Sequence, residues 1–128
     1  MAEMTIKKRP KNLDLTTIRL PLPGKLSILH RVSGAGLFLC LPILLWLFQC
    51  SVTSPESFEY FLAVASHPIV KLLLAGLIWA FLHHFFAGIR YLLLDIHVGV
   101  ELEDARRSSV IVFALSLSLT LILWGVLL

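Results

Sequence analysis

The sequence predicts an all-α integral membrane protein with three transmembrane helices. Three uncharged stretches indicate this fold class: residues 32–55, residues 72–89 and residues 108–128. A spanning helix needs about 20 mostly apolar residues, which the first and third stretches contain and the second approaches. The composition agrees, because 58% of the residues are hydrophobic and only 15% are charged. A chain with so little polar surface is poorly suited to a water-facing globule.

The spans are predicted in order from these stretches and the residues beside them. The first covers residues 27–50, because prolines up to Pro23 interrupt the preceding segment and Ser27 is a candidate N-cap. The second covers residues 66–95, because long basic side chains at its ends can reach the interface. The third covers residues 107–128. The chain therefore divides into an N-terminal segment, residues 1–26, and a transmembrane domain, residues 27–128.

The distribution of charge predicts the orientation of the helices. Seven of the eleven lysines and arginines lie at or before Arg31. The loop of residues 49–68 carries Glu56 and Glu59 and no basic residue, whereas the next loop contains Arg106 and Arg107. Because basic residues are retained on the cytoplasmic side, the N-terminus is predicted to be cytoplasmic and the C-terminus periplasmic.

The placement of polar residues argues against several functions. The N-terminal basic run has no interleaved aromatic residues on which bases could stack, which disfavours a nucleic acid partner. The outer half of the membrane region carries no charge and no inverted repeat is visible, which disfavours a transporter. Cys40 and Cys50 form no metal-binding motif. The sequence also lacks a nucleophile–base pair and a glycine-rich phosphate loop, so redox chemistry would belong to cofactors and partners.

The second span contains two adjacent histidines, His83 and His84. An ionisable residue at membrane depth is costly, and His84 lies about 9 Å along the axis from Arg90 at the cytoplasmic end. His84 either packs against a neighbouring helix or supplies one axial bond to a haem iron. Gly88 and Tyr91 lie on its face of the helix, and the glycine leaves room for a flat macrocycle.

A second polar group lies at the start of the first span. Ser27 and Arg31 are four residues apart and share a helix face. A hydroxyl donor beside a guanidinium suits a quinone head group, and the alternative is a capping serine with an arginine that reaches lipid phosphate. His30 and Arg31 are at a suitable depth to meet haem propionates. Asp95 could pair with Arg90, with Arg31 or with a partner chain.

These residues occur in three motifs that resemble a known family. The motifs are Arg9-Pro10-Lys11-Asn12-Leu13-Asp14-Leu15, then Ser27-Ile28-Leu29-His30-Arg31-Val32-Ser33-Gly34, then His84-x3-Gly88-Ile89-Arg90-x4-Asp95. In this order they resemble the cytochrome b556 subunits of bacterial succinate dehydrogenase, the membrane anchors of respiratory complex II. The resemblance covers nearly the whole chain.

The resemblance implies a site, partners and a location. His84 would be an axial ligand of a haem b shared with a second small membrane anchor subunit, and His30 and Arg31 would contact its propionates. Ser27 and Arg31 would bind ubiquinone, the substrate that the complex reduces. An iron–sulfur subunit and a flavoprotein subunit would dock on the cytoplasmic side, in contact with residues 1–26. The implied assembly is a heterotetramer, or a trimer of heterotetramers, in the bacterial inner membrane and in contact with lipid.

One position departs from the family pattern. The family often has Gly-Ile-Arg-His after the ligand histidine, whereas this chain has Tyr91 at the last of these positions. A haem-free structural anchor of a fumarate reductase-type complex is the alternative function. In either case the chain alone would not be an enzyme.

Overall fold

A computed structural model describes residue 14 and residues 16–127 of the chain. It contains four α-helices in the order α1 (Leu22–Thr53), α2 (Pro55–Ala65), α3 (Pro68–Asp95) and α4 (Leu102–Leu127), and the described residues form no strand. The helices α1, α3 and α4 are long and apolar enough to cross a membrane. The prediction of an all-α protein with three spanning helices is therefore confirmed.

Helix α1 begins at Leu22, before the predicted start at residue 27. Its N-cap is Pro21, in an extended conformation with φ −65° and ψ 160°, and a proline occupies the first turn. The prolines do not block this helix, because amide groups of the first turn have no partner within the helix and proline loses nothing there. Ser27 is consequently an internal helical residue, so the prediction that it caps the helix is wrong.

Helix α2 lies within residues 49–68, which the sequence predicted as a loop. Its first turn is a capping box, in which the hydroxyl of Ser54 accepts from the Ser57 amide at 3.1 Å. The hydroxyl of Ser57 accepts in return from the Ser54 amide at 2.9 Å. These reciprocal bonds satisfy two amides that the helix itself cannot pair. A helix of 11 residues is too short to span the membrane, so α2 adds no fourth span.

The interior of the bundle is built mostly, but not entirely, from small or polar side chains. Helix α3 packs against both α1 and α4 and is the central element. Large apolar side chains point outward, as in Phe38, which is 73% exposed, and Leu121, also 73% exposed. Lipid tails are as apolar as these side chains, so burying them inside the bundle gains no hydrophobic free energy. Small interior residues in turn allow membrane helices to approach closely. The buried residues are Leu26, Ser33, Leu47, Ala75, His83, Ala87, Arg90, Ser109, Val112 and Ser116.

The predicted N-terminal segment is only partly covered by the structure. Residues 1–13 and 15, which include all of the first family motif except Asp14, lie outside the described residues. At the start of the described region, Asp14 accepts hydrogen bonds from the Thr16 amide at 2.9 Å and the Thr16 hydroxyl at 2.6 Å. These bonds favour the ionised carboxylate and hold the pKa of Asp14 below its ordinary value. Whether residues 1–26 contact soluble subunits stays a prediction.

Candidate functional site

The predicted polar residues meet where α1 and α3 cross near the N-terminal end of α1. The imidazole rings of His30 and His84 stack there, with centroids 4.2 Å apart and planes 6° from parallel. The two helices run in opposite directions, which brings the beginning of α1 to the last turns of α3. Two residues that are 54 positions apart in the sequence therefore form one site.

One ring nitrogen of His84 is fixed by the backbone of α1. Its Nδ1 lies 2.9 Å from the carbonyl oxygen of His30. Because a carbonyl only accepts, Nδ1 carries the proton and donates it. The hydroxyl of Ser33 donates to the same carbonyl at 2.9 Å and lies 3.4 Å from Nδ1. In the neutral ring this leaves an unprotonated Nε2, which forms no hydrogen bond within the described residues.

Gly34 permits this close approach, and Gly88 lies beside it. A Cβ atom at Gly34 would lie 2.6 Å from Cε1 of His84, a distance that real Cβ contacts essentially never show. A Cβ atom at Gly88 would lie 3.7 Å from Nε2 of His30, an ordinary contact. Gly34 is thus the glycine that the close contact requires, whereas the sequence pattern had drawn attention only to Gly88. The position of Gly34 at the end of the Ser-Ile-Leu-His-Arg-Val-Ser-Gly motif was the available signal.

The adjacent His83 points away from this site. It is fully buried, and its ring lies 5.2 Å from the ring of Trp79 and 5.2 Å from the ring of Phe113 on α4. Neither ring nitrogen has a hydrogen-bond partner in the described part of the chain. Successive residues of a helix are about 100° apart, which explains how the two histidines face different helices.

Ser27 and Arg31 lie on one face of α1 together with Gly34. Ser27 is half-buried and Arg31 is exposed. Neither side chain forms a hydrogen bond or an ion pair with residues 16–127. Since Ser27 is not a cap, the capping alternative does not account for it. A hydroxyl and a guanidinium that have no partner among residues 16–127 therefore lie within about one helical turn of His30 along α1.

Tyr91 also belongs to this site. Its ring lies 5.1 Å from that of His30, with an interplanar angle of 55°. Its hydroxyl is buried and has no partner among the described residues. The phenol therefore adjoins the site from the position that is often histidine in the family pattern, as the shared face with His84 predicted.

Arg90 and Asp95 do not form the pair that was one sequence-based alternative. The side chain of Arg90 is directed to α4, where Nε donates to the Ser108 hydroxyl at 2.9 Å and Nη2 to the Ala105 carbonyl at 3.3 Å. Asp95 is exposed and forms no ion pair with Arg90 or Arg31. Arg90 is only 6% exposed, which its place at a helix end did not reveal.

The chain is similar to proteins named as cytochrome b subunits of succinate dehydrogenase. It is 39% identical to the succinate dehydrogenase cytochrome b556 subunit of Coxiella burnetii, over 93% of this chain and 95% of that protein. It is 34% identical to the protein of the same name from Paracoccus denitrificans, over 85% and 84% of the two chains. It is 31% identical to the succinate dehydrogenase cytochrome b560 subunit of Reclinomonas americana, over 91% and 84%.

The model of a protein family matches most of the chain. That family is described as the succinate dehydrogenase/fumarate reductase transmembrane subunit, and the match covers residues 5–123. The three spanning helices agree with a multi-pass subunit of the bacterial inner membrane. The chain therefore belongs to the family of succinate dehydrogenase and fumarate reductase transmembrane subunits.

Proposed function

We propose that this chain is the cytochrome b subunit of a succinate:quinone oxidoreductase, in which it and a second membrane anchor hold a b-type haem and a quinone-reduction site. Electrons would come from an iron–sulfur subunit, which receives them from a flavoprotein subunit. Family membership supports the assignment to such a complex, and the name of the relatives, cytochrome b556, supports the binding of a b-type haem. The chain itself would be a non-catalytic subunit.

The hydrogen bond from Nδ1 of His84 to the His30 carbonyl is the observation that carries the proposal. A metal-binding histidine almost always donates its other ring N–H to a carbonyl or carboxylate, which fixes the ring and the tautomer. His84 has this arrangement and His83 does not. The residues present therefore fit a haem site, in which Nε2 of His84 would be the ligating atom of this chain and the second anchor would supply a further ligand.

The neighbouring residues fit the remainder of such a group. His30 and Arg31 would hold the propionates, because a guanidinium presents several donors in a planar fork that matches a carboxylate. The backbone of Gly88 leaves space beside the His30 ring. When bound, a b-type haem would supply a one-electron redox centre close to the quinone.

Ser27 and Arg31 would bind the quinone head group. The Ser27 hydroxyl can donate to a quinone carbonyl oxygen, and the Arg31 guanidinium can stabilise negative charge that develops on it during reduction. Two electrons and two protons convert the quinone to the quinol. Both side chains lie near the N-terminal end of α1, where the positive-inside pattern predicts the cytoplasmic surface and a supply of protons.

Exchange of each histidine separately tests the ligand assignment. We expect His84→Ala to abolish the reduced-minus-oxidised b-type spectrum of the purified complex. The matched control His83→Ala should retain that spectrum, because His83 faces α4. A normal spectrum in His84→Ala would exclude His84 as a ligand. A wild-type complex without any haem spectrum, but with succinate oxidation intact, would favour the haem-free structural anchor instead.

The quinone assignment is tested by a ratio of two activities. We expect Ser27→Ala to lower quinone reduction by about 10- to 150-fold, because a lost hydrogen bond to a charged or charging group is worth about 1.5–3 kcal/mol. Succinate oxidation with a soluble artificial electron acceptor should stay unchanged, since it bypasses the membrane subunit. The matched control Ser51→Ala, at the far end of α1, should leave both activities unchanged. An unchanged ratio in Ser27→Ala would remove Ser27 from the site.

A further inference from the structure

A groove runs along α3 and α4 on the side of α3 that carries Arg90. It consists of two adjoining cavities of about 260 Å³ and about 270 Å³. They share four lining residues, Arg90, Leu93, Ser108 and Ile111. The cavity nearer the connection between the two helices is also lined by Arg107 and Asp104, whereas the other continues along apolar residues that include Phe86, Ile89 and Leu115.

Arg90 forms no ion pair in this groove within residues 16–127, although the carboxylate of Asp104 lines the same cavity. Arg90 is 6% exposed, and its two hydrogen-bond acceptors, the Ser108 hydroxyl and the Ala105 carbonyl, are both neutral. A guanidinium has five N–H donors, so three remain available. A cation at the membrane boundary normally pairs with an anion, because burial without one is costly.

A second cation lies at the same end of the groove. Arg107 lines the same cavity, and its only ion pair in the described region is with Glu103 at 3.2 Å. The two side chains of that pair are 70% and 65% exposed, so water screens their attraction. With Asp104 counted against the two arginines, the lining of this cavity keeps a net positive charge.

We propose that this groove binds an anionic phospholipid, with its phosphate at Arg90 and Arg107 and an acyl chain along the apolar cavity. Basic pockets between transmembrane helices on the cytoplasmic side are suited to anionic head groups. The order of the two cavities, basic at the helix ends and apolar deeper along the helices, matches the two parts of a phospholipid. A free phosphate ion would use only the basic part.

The experiment uses the full chain purified with its partner subunits. The complex is placed in nanodiscs that contain equal amounts of phosphatidylglycerol and phosphatidylcholine, transferred to detergent, and examined for retained lipid by native mass spectrometry. Wild type should retain phosphatidylglycerol in preference. Arg107→Gln should reduce that retention by about tenfold, as expected for a lost charge-assisted bond. The matched control Arg106→Gln lies outside the groove and should retain it.

A steric pair of variants tests the apolar part independently. Ile111→Trp should fill the groove and displace the lipid, whereas Val110→Trp, similarly exposed and outside the groove, should not. Equal losses in Arg106→Gln and Arg107→Gln would overturn the proposal, because they would indicate general attraction to basic surface. Undiminished retention in Ile111→Trp, or displacement of the lipid by inorganic phosphate alone, would overturn it as well.

Discussion

A methyl group added at Gly34 would collide with the imidazole of His84, the candidate haem ligand. The Cβ of an alanine would lie 2.6 Å from Cε1 of His84, whose ring is held by the His30 carbonyl and by stacking. We expect Gly34→Ala to displace the ring at a cost of about 1–3 kcal/mol, which is typical of overpacking. Haem content per complex and the thermal midpoint should both fall. Gly36→Ala, which meets nothing within 4 Å, is the control and should change neither.

The choice between the two histidines shows what the residues alone could and could not predict. The sequence showed that His84 lies at membrane depth and that Gly88 follows it by one helical turn. It also showed that both residues belong to a motif that resembles the family's haem-ligand motif. The orientation of His83 depends on α4, a separate helix that begins only at Leu102. The bond that orients His84 is made by a backbone carbonyl of α1, and no side-chain pattern records such an acceptor.

At the scale of the elements, α3 ends in a Schellman motif with an unusual residue. The Val98 amide donates to the Leu93 carbonyl and the His97 amide to the Leu94 carbonyl, both at 2.9 Å. His97 has φ 63°, in the left-handed region that glycine usually occupies at this position. The side chain of His97 is exposed, so it contributes little packing to the rest of the chain.

Substitution of His97 should therefore act through the backbone. A left-handed conformation costs an ordinary L-residue about 1–2 kcal/mol, and a β-branched residue fits it worst. We expect slower amide exchange at residues 96–98 in His97→Gly and faster exchange in His97→Val. His67→Val, at the N-cap of α3, should leave exchange at residues 96–98 unchanged. Equal exchange in the two His97 variants would contradict the assigned backbone conformation.

The first turn of α2 should respond to acid through Glu56. Hydrogen bonds from its own backbone amide and from the Ser54 hydroxyl lower the pKa of this carboxyl from its ordinary value of 4.5. The stabilisation is thus complete above that value and is lost as the pH falls through the lowered pKa. We expect faster amide exchange in the first turn of α2 at low pH, after correction for intrinsic rates. Glu56→Gln should remove this pH dependence, and an identical profile in that variant would refute it.

The differences between predicted and observed elements have physical causes. Uncharged length predicted the three spans because lipid enforces it over about 20 residues. The length of uncharged sequence did not reveal α2, because this helix has only 11 residues and contains two glutamates. The serines of its capping box are equally common in loops. The sequence prediction placed the start of α1 too late because Pro21 and Pro23 were treated as breakers, although the first turn of a helix accepts proline.

At the scale of the whole molecule, the polar residues of the candidate site lie toward one end of the bundle. The alternating directions of the three spanning helices bring together the start of α1, the end of α3 and the start of α4. His30, His84 and Arg90 all lie toward that end. At the opposite end a cavity of about 450 Å³ among α1, α2 and α3 is lined almost entirely by apolar residues. The site and the basic groove therefore open toward the same face of the membrane.

The orientation of that end is predicted by charge and can be measured directly. Lys25 and Arg106 mark one end of the bundle, whereas Glu56 and Glu59 mark the other, and basic residues resist translocation. In a background with Cys40 and Cys50 replaced by serine, Val100→Cys should react with an impermeant maleimide only in inverted membrane vesicles. Glu59→Cys should react only in intact spheroplasts. Both positions are exposed, so access depends on the side of the membrane. Reaction of both variants in the same preparation would contradict the three-span topology, and the reverse pattern would place the quinone site on the periplasmic face.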